Sequence, residues 1–364
     1  MHLSTILCPL VALSVGCTNT TSNGGADGSV PAQALACDAL GPIGQWENIT
    51  PAGVGITQDF VLDPINVGTV YVGGGLGFGI LKTTNCGATW THVNTGLHGM
   101  DIDQGGHWTL AIDQTDPQVL YTGNGYGPSG VFKSTNGGVD WAQVLTPEAA
   151  KAFIYGGFIE RITVDPTDHL HVLVSPHFSC ENGHTNCLLE SPDGGVTWKI
   201  LDGAPGSGED SGQIMIDSKL WFFANPWSDG LWRTDDAGAT WKSVRGYGAT
   251  DSMYIGDDGR FFTTSLTEGI LESKDRGVTW AALPDSPHVR AVVGDGTTLY
   301  ASNRNESSTP FQPYQAASEA DPSQWKTYPS PDLPRGGWVL HYDRLHNLLY
   351  SSTENNGFWR VRTK

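Results

Sequence analysis

Two stretches of this chain concentrate residues able to move protons. His98-Gly99-Met100-Asp101-Ile102-Asp103-Gln104-Gly105-Gly106-His107-Trp108 packs two histidines, two aspartates and a tryptophan into one Gly-rich connection. Phe158-Ile159-Glu160-Arg161 sets an acid beside a base where an apolar stretch begins. Asp101, Asp103, His107 and Glu160 are therefore the candidate acid/base groups, with His177 as a partner from a later loop. Trp108, Tyr126 and Trp227 are candidates for stacking on a ring, and Arg161, Arg290 and Arg335 for holding hydroxyls or acids. Such a set suits sugar chemistry, in which carboxylates transfer protons and aromatic faces seat the ring. A hydrolase would need two carboxyl groups roughly 5 to 9 Å apart. A lyase would need a His or Tyr base near an arginine that neutralises a uronate.

The elements that must position these residues are announced by a repeat. Ser191-Pro192-Asp193-Gly194-Gly195-Val196-Thr197-Trp198 has close copies ending at Trp90, Trp141, Trp241 and Trp280, and [ST]-x-[DN]-x-G-x-[TSD]-W describes all of them. The Ser/Thr and Asp/Asn side chains bond nearby backbone donors, the glycine takes a shape that a Cβ resists, and the tryptophan anchors the turn in the core. The pattern is a hairpin turn that folds itself.

This is the Asp-box, or bacterial neuraminidase repeat, and the chain resembles the β-propeller proteins that carry it, among them sialidases, xyloglucanases and sortilin-type receptors. The resemblance implies that the boxes lie on the face opposite the ligand site and that Asp193, Asp236 and Asp275 are structural. It implies that ligands meet the loops between second and third strands and those leading from one unit's outer strand to the next inner strand. The latter loops offer Asp59, Asp210 and Asp251 besides the candidates above. Two departures stand out: there is no Arg-Ile-Pro near the start, where sialidases place a substrate-binding arginine, and there is one propeller where xyloglucanases set two around a cleft.

Phasing the repeat gives inner strands near Phe60-Asp63, Thr109-Asp113, Ile162-Asp165, Ile214-Asp217, Met253-Gly256, Arg290-Gly294 and Trp338-Asp343. The expected fold is all-β, a seven-bladed β-propeller of four-stranded units. The sixth unit keeps Trp325 without the box glycine, and an insertion from Asn303 to Ala317 precedes it. The seventh ends at a third strand, Gly357 to Val361, while the segment around Trp46 resembles an outer strand with no blade before it. The N-terminal strand is expected to complete the last blade, which removes the open sheet edge.

Residues 1–17 read as an export signal, either with a lipidated cysteine at Cys17 or as an ordinary secretory signal. Residues 18–40 are expected to form a flexible tether and residues 41–364 one propeller domain. In an oxidising compartment Cys180 and Cys187, seven apart in one loop, should pair, and Cys37 then pairs with Cys86. A Cys/His metal site beside His177 and His184 is the rival reading, disfavoured by the lack of a CxxC knuckle.

A formal charge of −18 argues against a nucleic-acid partner, whose phosphates demand basic surface. The expected partner is a polysaccharide or oligosaccharide, with membrane contact only through a lipid anchor, no cofactor, no metal and a monomeric state. Two readings follow: an exported glycan-active hydrolase or lyase, or a non-catalytic surface propeller that binds glycan or protein.

Overall fold

The computed structural model describes residues 33–34, 36–55, 57–151, 157–177, 180, 188–201, 203–206, 208–228, 230–246, 248–303, 313–330, 336–353 and 357–364. Seven four-stranded antiparallel sheets follow one another along the chain. Blades one to three run Thr57–Leu62 to Thr91–His92, His107–Ile112 to Ala142–Leu145, and Ile159–Asp165 to Lys199–Ile200. Blades four to six run Gly212–Met215 to Lys242–Arg245, Ala249–Ile255 to Ala281–Ala282, and Ala291–Gly294 to Lys326–Thr327. Blade seven takes Val339–Asp343, Leu348–Thr353 and Gly357–Arg362 from the C-terminus and Trp46–Asn48 from the N-terminus. The seven-bladed propeller closed by its N-terminal strand is thus the observed fold, with Trp46 opposite Val361 and Asn48 opposite Trp359.

The middle strands read as continuous apolar runs because both of their faces are covered. Val70, Tyr71 and Val72 in blade one and Trp221, Phe222 and Phe223 in blade four are fully buried. The core lies between neighbouring sheets: Tyr121, Val131 and Leu145 of blade two pack with Ile162, Val172 and Val174 of blade three.

All five repeated turns make the same two bonds. Gly195 N–H donates to Ser191 Oγ at 2.7 Å, and Thr197 N–H donates to Asp193 Oδ1 at 2.8 Å. The equivalents are Gly87, Gly138, Gly238 and Gly277 onto Thr83, Ser134, Thr234 and Ser273. Thr89, Asp140, Thr240 and Thr279 donate likewise to Asn85, Asn136, Asp236 and Asp275. Bonds to Thr240 and Thr279 pull the exposed Asp236 and Asp275 carboxyls down to about 2. In each turn the residue before the glycine also has positive φ, and in three turns it is Cys86, Ala237 or Arg276.

A second use of aspartate explains more of the acidity. Asp63, Asp113, Asp217 and Asp343, at the ends of inner strands, each accept two backbone N–H bonds from the following turn.

Two details differ from the sequence expectation. The third strand of blade six begins at Tyr314, so residues 314–317 belong to the sheet and not to an insertion. Where blade six lacks its box, the buried Glu319 accepts from Tyr254 Oη at 3.0 Å, and Arg344 Nη2 donates to the same hydroxyl. Finally, Gln33–Ala34 pairs in parallel with Asn66–Val67, inside the stretch expected to be tether.

Cys37 and Cys86 form the expected disulfide, with Cα atoms 5.2 Å apart. Cys180 is disulfide-bonded, while Cys187, its expected partner, and Cys17 lie outside the described residues. Among the described residues no helix is long and apolar enough to cross a membrane.

Candidate active site

At the start of several inner strands the ladder slips. Register shifts fall between Thr57 and Asp59, His107 and Thr109, Ile159 and Arg161, and Ala249 and Met253. A bulge leaves an extra residue unpaired and turns its side chain out of the regular alternation, a device common beside binding sites. In blades two and three those residues are Trp108 and Glu160, and both face the axis. They line a pocket open to solvent with Arg161, Asp251, Arg290, Trp338 and Val339.

Close approach in this region depends on two glycines. A Cβ on Gly125 would fall 2.3 Å from Trp108 Cδ1, and one on Gly212 would fall 2.5 Å from Asp251 Oδ2. Both distances are prohibitive for real carbon atoms, so these residues leave the room that the site side chains occupy.

Acids and bases pair in one chain, from Asp59 through Arg161, Asp251 and Arg290 to Asp210. Arg161 donates through Nε to Asp251 Oδ2 at 2.9 Å and through Nη2 to the same oxygen, and its Nη1 lies 3.6 Å from Asp59 Oδ2. Arg290 Nη2 donates to Asp210 Oδ1 at 3.0 Å and lies 3.8 Å from Asp251 Oδ1. Burial works against the Asp251 anion, but Arg161 and Arg290 outweigh it and hold this carboxyl below its usual range. For Asp59 burial prevails and pushes the carboxyl up, despite Arg161 and N–H bonds from Leu110 and Phe60. Arg161, though desolvated, is held more firmly protonated by Asp251 and Asp59.

The other wall belongs to Glu160. Its Oε2 lies 2.6 Å from His177 Nδ1 and its Oε1 accepts the Asp210 N–H at 3.1 Å. Partial burial disfavours the imidazolium of His177, yet the bond to Glu160 and the charges of Glu160, Glu209 and Asp210 raise its pKa. Trp108 stacks at an angle among Tyr126, Phe158, His177 and Trp338, with centroids 5.9 to 6.5 Å apart. Arg290 lies 5.6 Å from the ring centroid of Trp338, within cation–π range.

Apart from Trp108, the first sequence cluster is not part of this assembly. Gly99–Asp103 forms a short helix instead of an open connection. His107 is wholly buried, its Nε2 2.8 Å from Ile102 O and its Nδ1 3.0 Å from Thr122 Oγ1, and burial lowers its pKa to about 4. Asp103 bonds His92 and Asn94, and Asp101 bonds His98 at the surface. None of Asp101, Asp103 and His107 lines the pocket. Their spacing resembled a site because a helix turn and a buried histidine use the same residue types.

Of the remaining candidates, Glu160, Trp108, Arg161 and Arg290 line the pocket, His177 bonds Glu160, and Tyr126 packs on Trp108. Trp227 reaches the network by donating Nε1–H to Asp210 Oδ2 at 2.9 Å. Arg335 lies outside the described residues. In the sequence Asp59, Asp210 and Asp251 are three rim-loop acids among many. The usable signal is an acid at the start of the inner strands of blades one, four and five.

For metals, the tightest group of His, Cys, Asp and Glu among the described residues is Cys37, Cys86 and His346, and its two sulfurs are bonded to each other.

Comparison with known proteins places this geometry in context. The chain is 25% identical over 263 residues to a xyloglucanase of Hypocrea jecorina, covering 66% of this chain and 28% of the relative. It is 24% identical over 328 residues to a xyloglucanase of Paenibacillus sp, covering 86% and 27%. It thus spans about a quarter of the length of these relatives. The xyloglucanase structure from Xanthomonas campestris superimposes with a TM-score of 0.64 at 17% identity, covering 89% of this chain and 54% of that one. A structure of YCF48 bound to D1 peptide gives 0.62 at 13% identity, covering 92% and 100%. No family model matches the chain. What these likenesses establish is a propeller of the kind that xyloglucanases contain.

Proposed function

We propose that the protein is an exported glycan-active hydrolase working at the axial pocket. The observation that carries this is the convergence of Glu160 and Asp251 on one pocket flanked by Trp108 and Trp338. Glu160, accessible and backed by His177, is the proton-transferring carboxyl, and Asp251 is the second carboxylate. Trp108, Tyr126 and Trp338 seat the sugar. Sequence likeness to xyloglucanases supports xyloglucan or a similar glycan as the substrate. Charge supports hydrolysis over elimination: Arg161 and Arg290 are already matched by Asp59, Asp251 and Asp210, so a uronate would meet carboxylates as well as guanidinium groups. The five turns are read as Asp-boxes on their sequence and shared bonds. The Cys37–Cys86 disulfide supports an oxidising compartment, with Cys17 as the proposed lipid attachment.

The test is to incubate the purified chain with xyloglucan and a panel of neutral and acidic polysaccharides, reading new reducing ends and unsaturated products. Reducing ends from a neutral glycan that disappear in Glu160→Gln support the proposal. A silent panel overturns it.

A second reading, a non-catalytic binding propeller, is favoured by one observation. The chain covers the whole of the YCF48 chain solved with a bound D1 peptide, but only about a quarter of the xyloglucanases. Measurable binding of glycan or peptide on a silent panel would select it.

A further inference from the structure

The backbone N–H and the two carboxylate oxygens of Asp210 each engage a different partner. Its backbone N–H donates to Glu160 Oε1 at 3.1 Å, its Oδ1 accepts from Arg290 Nη2 at 3.0 Å, and its Oδ2 accepts from Trp227 Nε1 at 2.9 Å. Only 7% exposed, it sits just before the inner strand of blade four with φ of 60°. A left-handed backbone at a residue bearing a Cβ costs on the order of 1 kcal/mol or more and persists where surrounding contacts over-determine it. Here the three bonds do so, and that backbone shape is what lets one residue address both the axis and the rim.

Trp227 stands at the outer end of this relay. The residue is 51% exposed, in the turn between the second and third strands of blade four, and its N–H edge is tethered while its ring remains open to solvent. An indole fixed by its edge and free on its face is a stacking platform of set orientation. At the inner end, Glu160 has one oxygen on Asp210 and the other on His177, so its direction is fixed as well. Arg290 lines the pocket, and its Nη2 is held by Asp210.

We infer that Asp210 is the positioning residue of the site, registering a saccharide stacked on Trp227 against Glu160 and Arg290. The saccharide in this statement rests on the proposed function. The tie between rim and axis rests on the three bonds. The plain alternative is that Asp210 only neutralises Arg290, in which case the Trp227 edge would be incidental.

The experiment compares the full chain with Asp210→Asn, Trp227→Phe and the double variant, with thermal melting to verify folding. In ligand-free protein the 15N-labelled indole resonance of Trp227, assigned by its loss in Trp227→Phe, moves upfield in Asp210→Asn because a carboxylate acceptor becomes an amide. With a xyloglucan-derived oligosaccharide as probe, each single variant weakens binding about ten-fold, the scale of one bond to a charged group. The double variant is no weaker than Asp210→Asn. An unmoved indole resonance, or losses that multiply in the double variant, overturns the inference. If Asp210→Asn does not fold, Trp227→Phe decides alone, since it keeps a ring but not the N–H, and unchanged affinity refutes the tether. If the resonance moves while the unmodified chain neither binds nor cleaves any glycan, the proposed function falls and the Trp227–Asp210 tie stands.

Discussion

Arg161 and Asp251 join blades three and five at the ring axis, Nε to Oδ2 at 2.9 Å and 90 residues apart in sequence. Asp251 also lies within ion-pair distance of Arg290 from blade six, so one carboxylate gathers two guanidinium groups from separate blades. Asp251→Ala would leave both cations short of a partner and is expected to cost about 3 kcal/mol, the scale for breaking a buried pair from one side. Urea unfolding measures it, and a loss under about 1 kcal/mol would show that solvent or neighbouring acids take over.

The pH dependence of that contribution has a definite sign. Asp251 is depressed in the folded state, so its stabilisation is present above the ordinary carboxyl value of 3.8 and fades as pH falls through the lower folded value. The difference in melting temperature between the unmodified chain and Asp251→Asn should therefore shrink on acidification from pH 6 to pH 3. A constant difference would mean that the carboxylate is not the source.

Glu160→Gln keeps the shape of the pocket wall and removes the proton-moving group. Product formation is expected to fall by about 10^2 to 10^4, while the melting temperature at pH 6 drops no further than in His177→Asn, which breaks the same pair. On the other side of the pair, His177 is raised in the folded state, so its contribution is full below the ordinary value of 6.5 and is lost as pH rises through the folded value. His177→Asn should accordingly destabilise the chain at pH 6 and have less effect at pH 9. Equal shifts at both pH values would contradict an ionised pair.

Ring closure rests on a buried arginine. Arg360, 2% exposed, donates to Cys86 O at 2.7 Å, to Ala39 O at 2.9 Å and to Glu47 Oε2 at 3.0 Å. It thereby ties the last strand to the first turn, the segment after Cys37 and the closing strand. Arg360→Ala is expected to cost about 3 kcal/mol and to lower the denaturation midpoint without altering the pocket. If the midpoint holds, strand pairing and the disulfide suffice.

Gly277 tests the turns. It has φ of 80°, and a Cβ there would lie 2.3 Å from Phe222 Cζ of the preceding blade. Gly277→Ala combines backbone strain with overpacking and should cost about 3 kcal/mol, read by chemical denaturation. Glycan binding by the folded fraction should be unchanged, since the turn lies outside the pocket lining. Weakened binding at full folding would connect the turns to the site.

The sequence by itself determined the blades. Turn chemistry is local: Ser191, Asp193 and Gly195 bond within five residues of one another, so their pattern is visible as text, and five copies set the phase of seven units. Closure by Trp46 was legible for the same reason, as a fourth strand without its three companions. The site was legible only in part. Glu160, Arg161, Trp108, Arg290 and the His177 partner could be picked as polar or aromatic residues at strand mouths, but Asp101, Asp103 and His107 carried the same signature and belong to a local helix and a buried bond network. Only the tertiary structure decided between them, because which loop residues meet depends on ring closure and on bulges at the inner strands. Asp59, Asp210, Asp251, Arg161 and Arg290 come from five places in the chain, and no local pattern records that the ring brings them together.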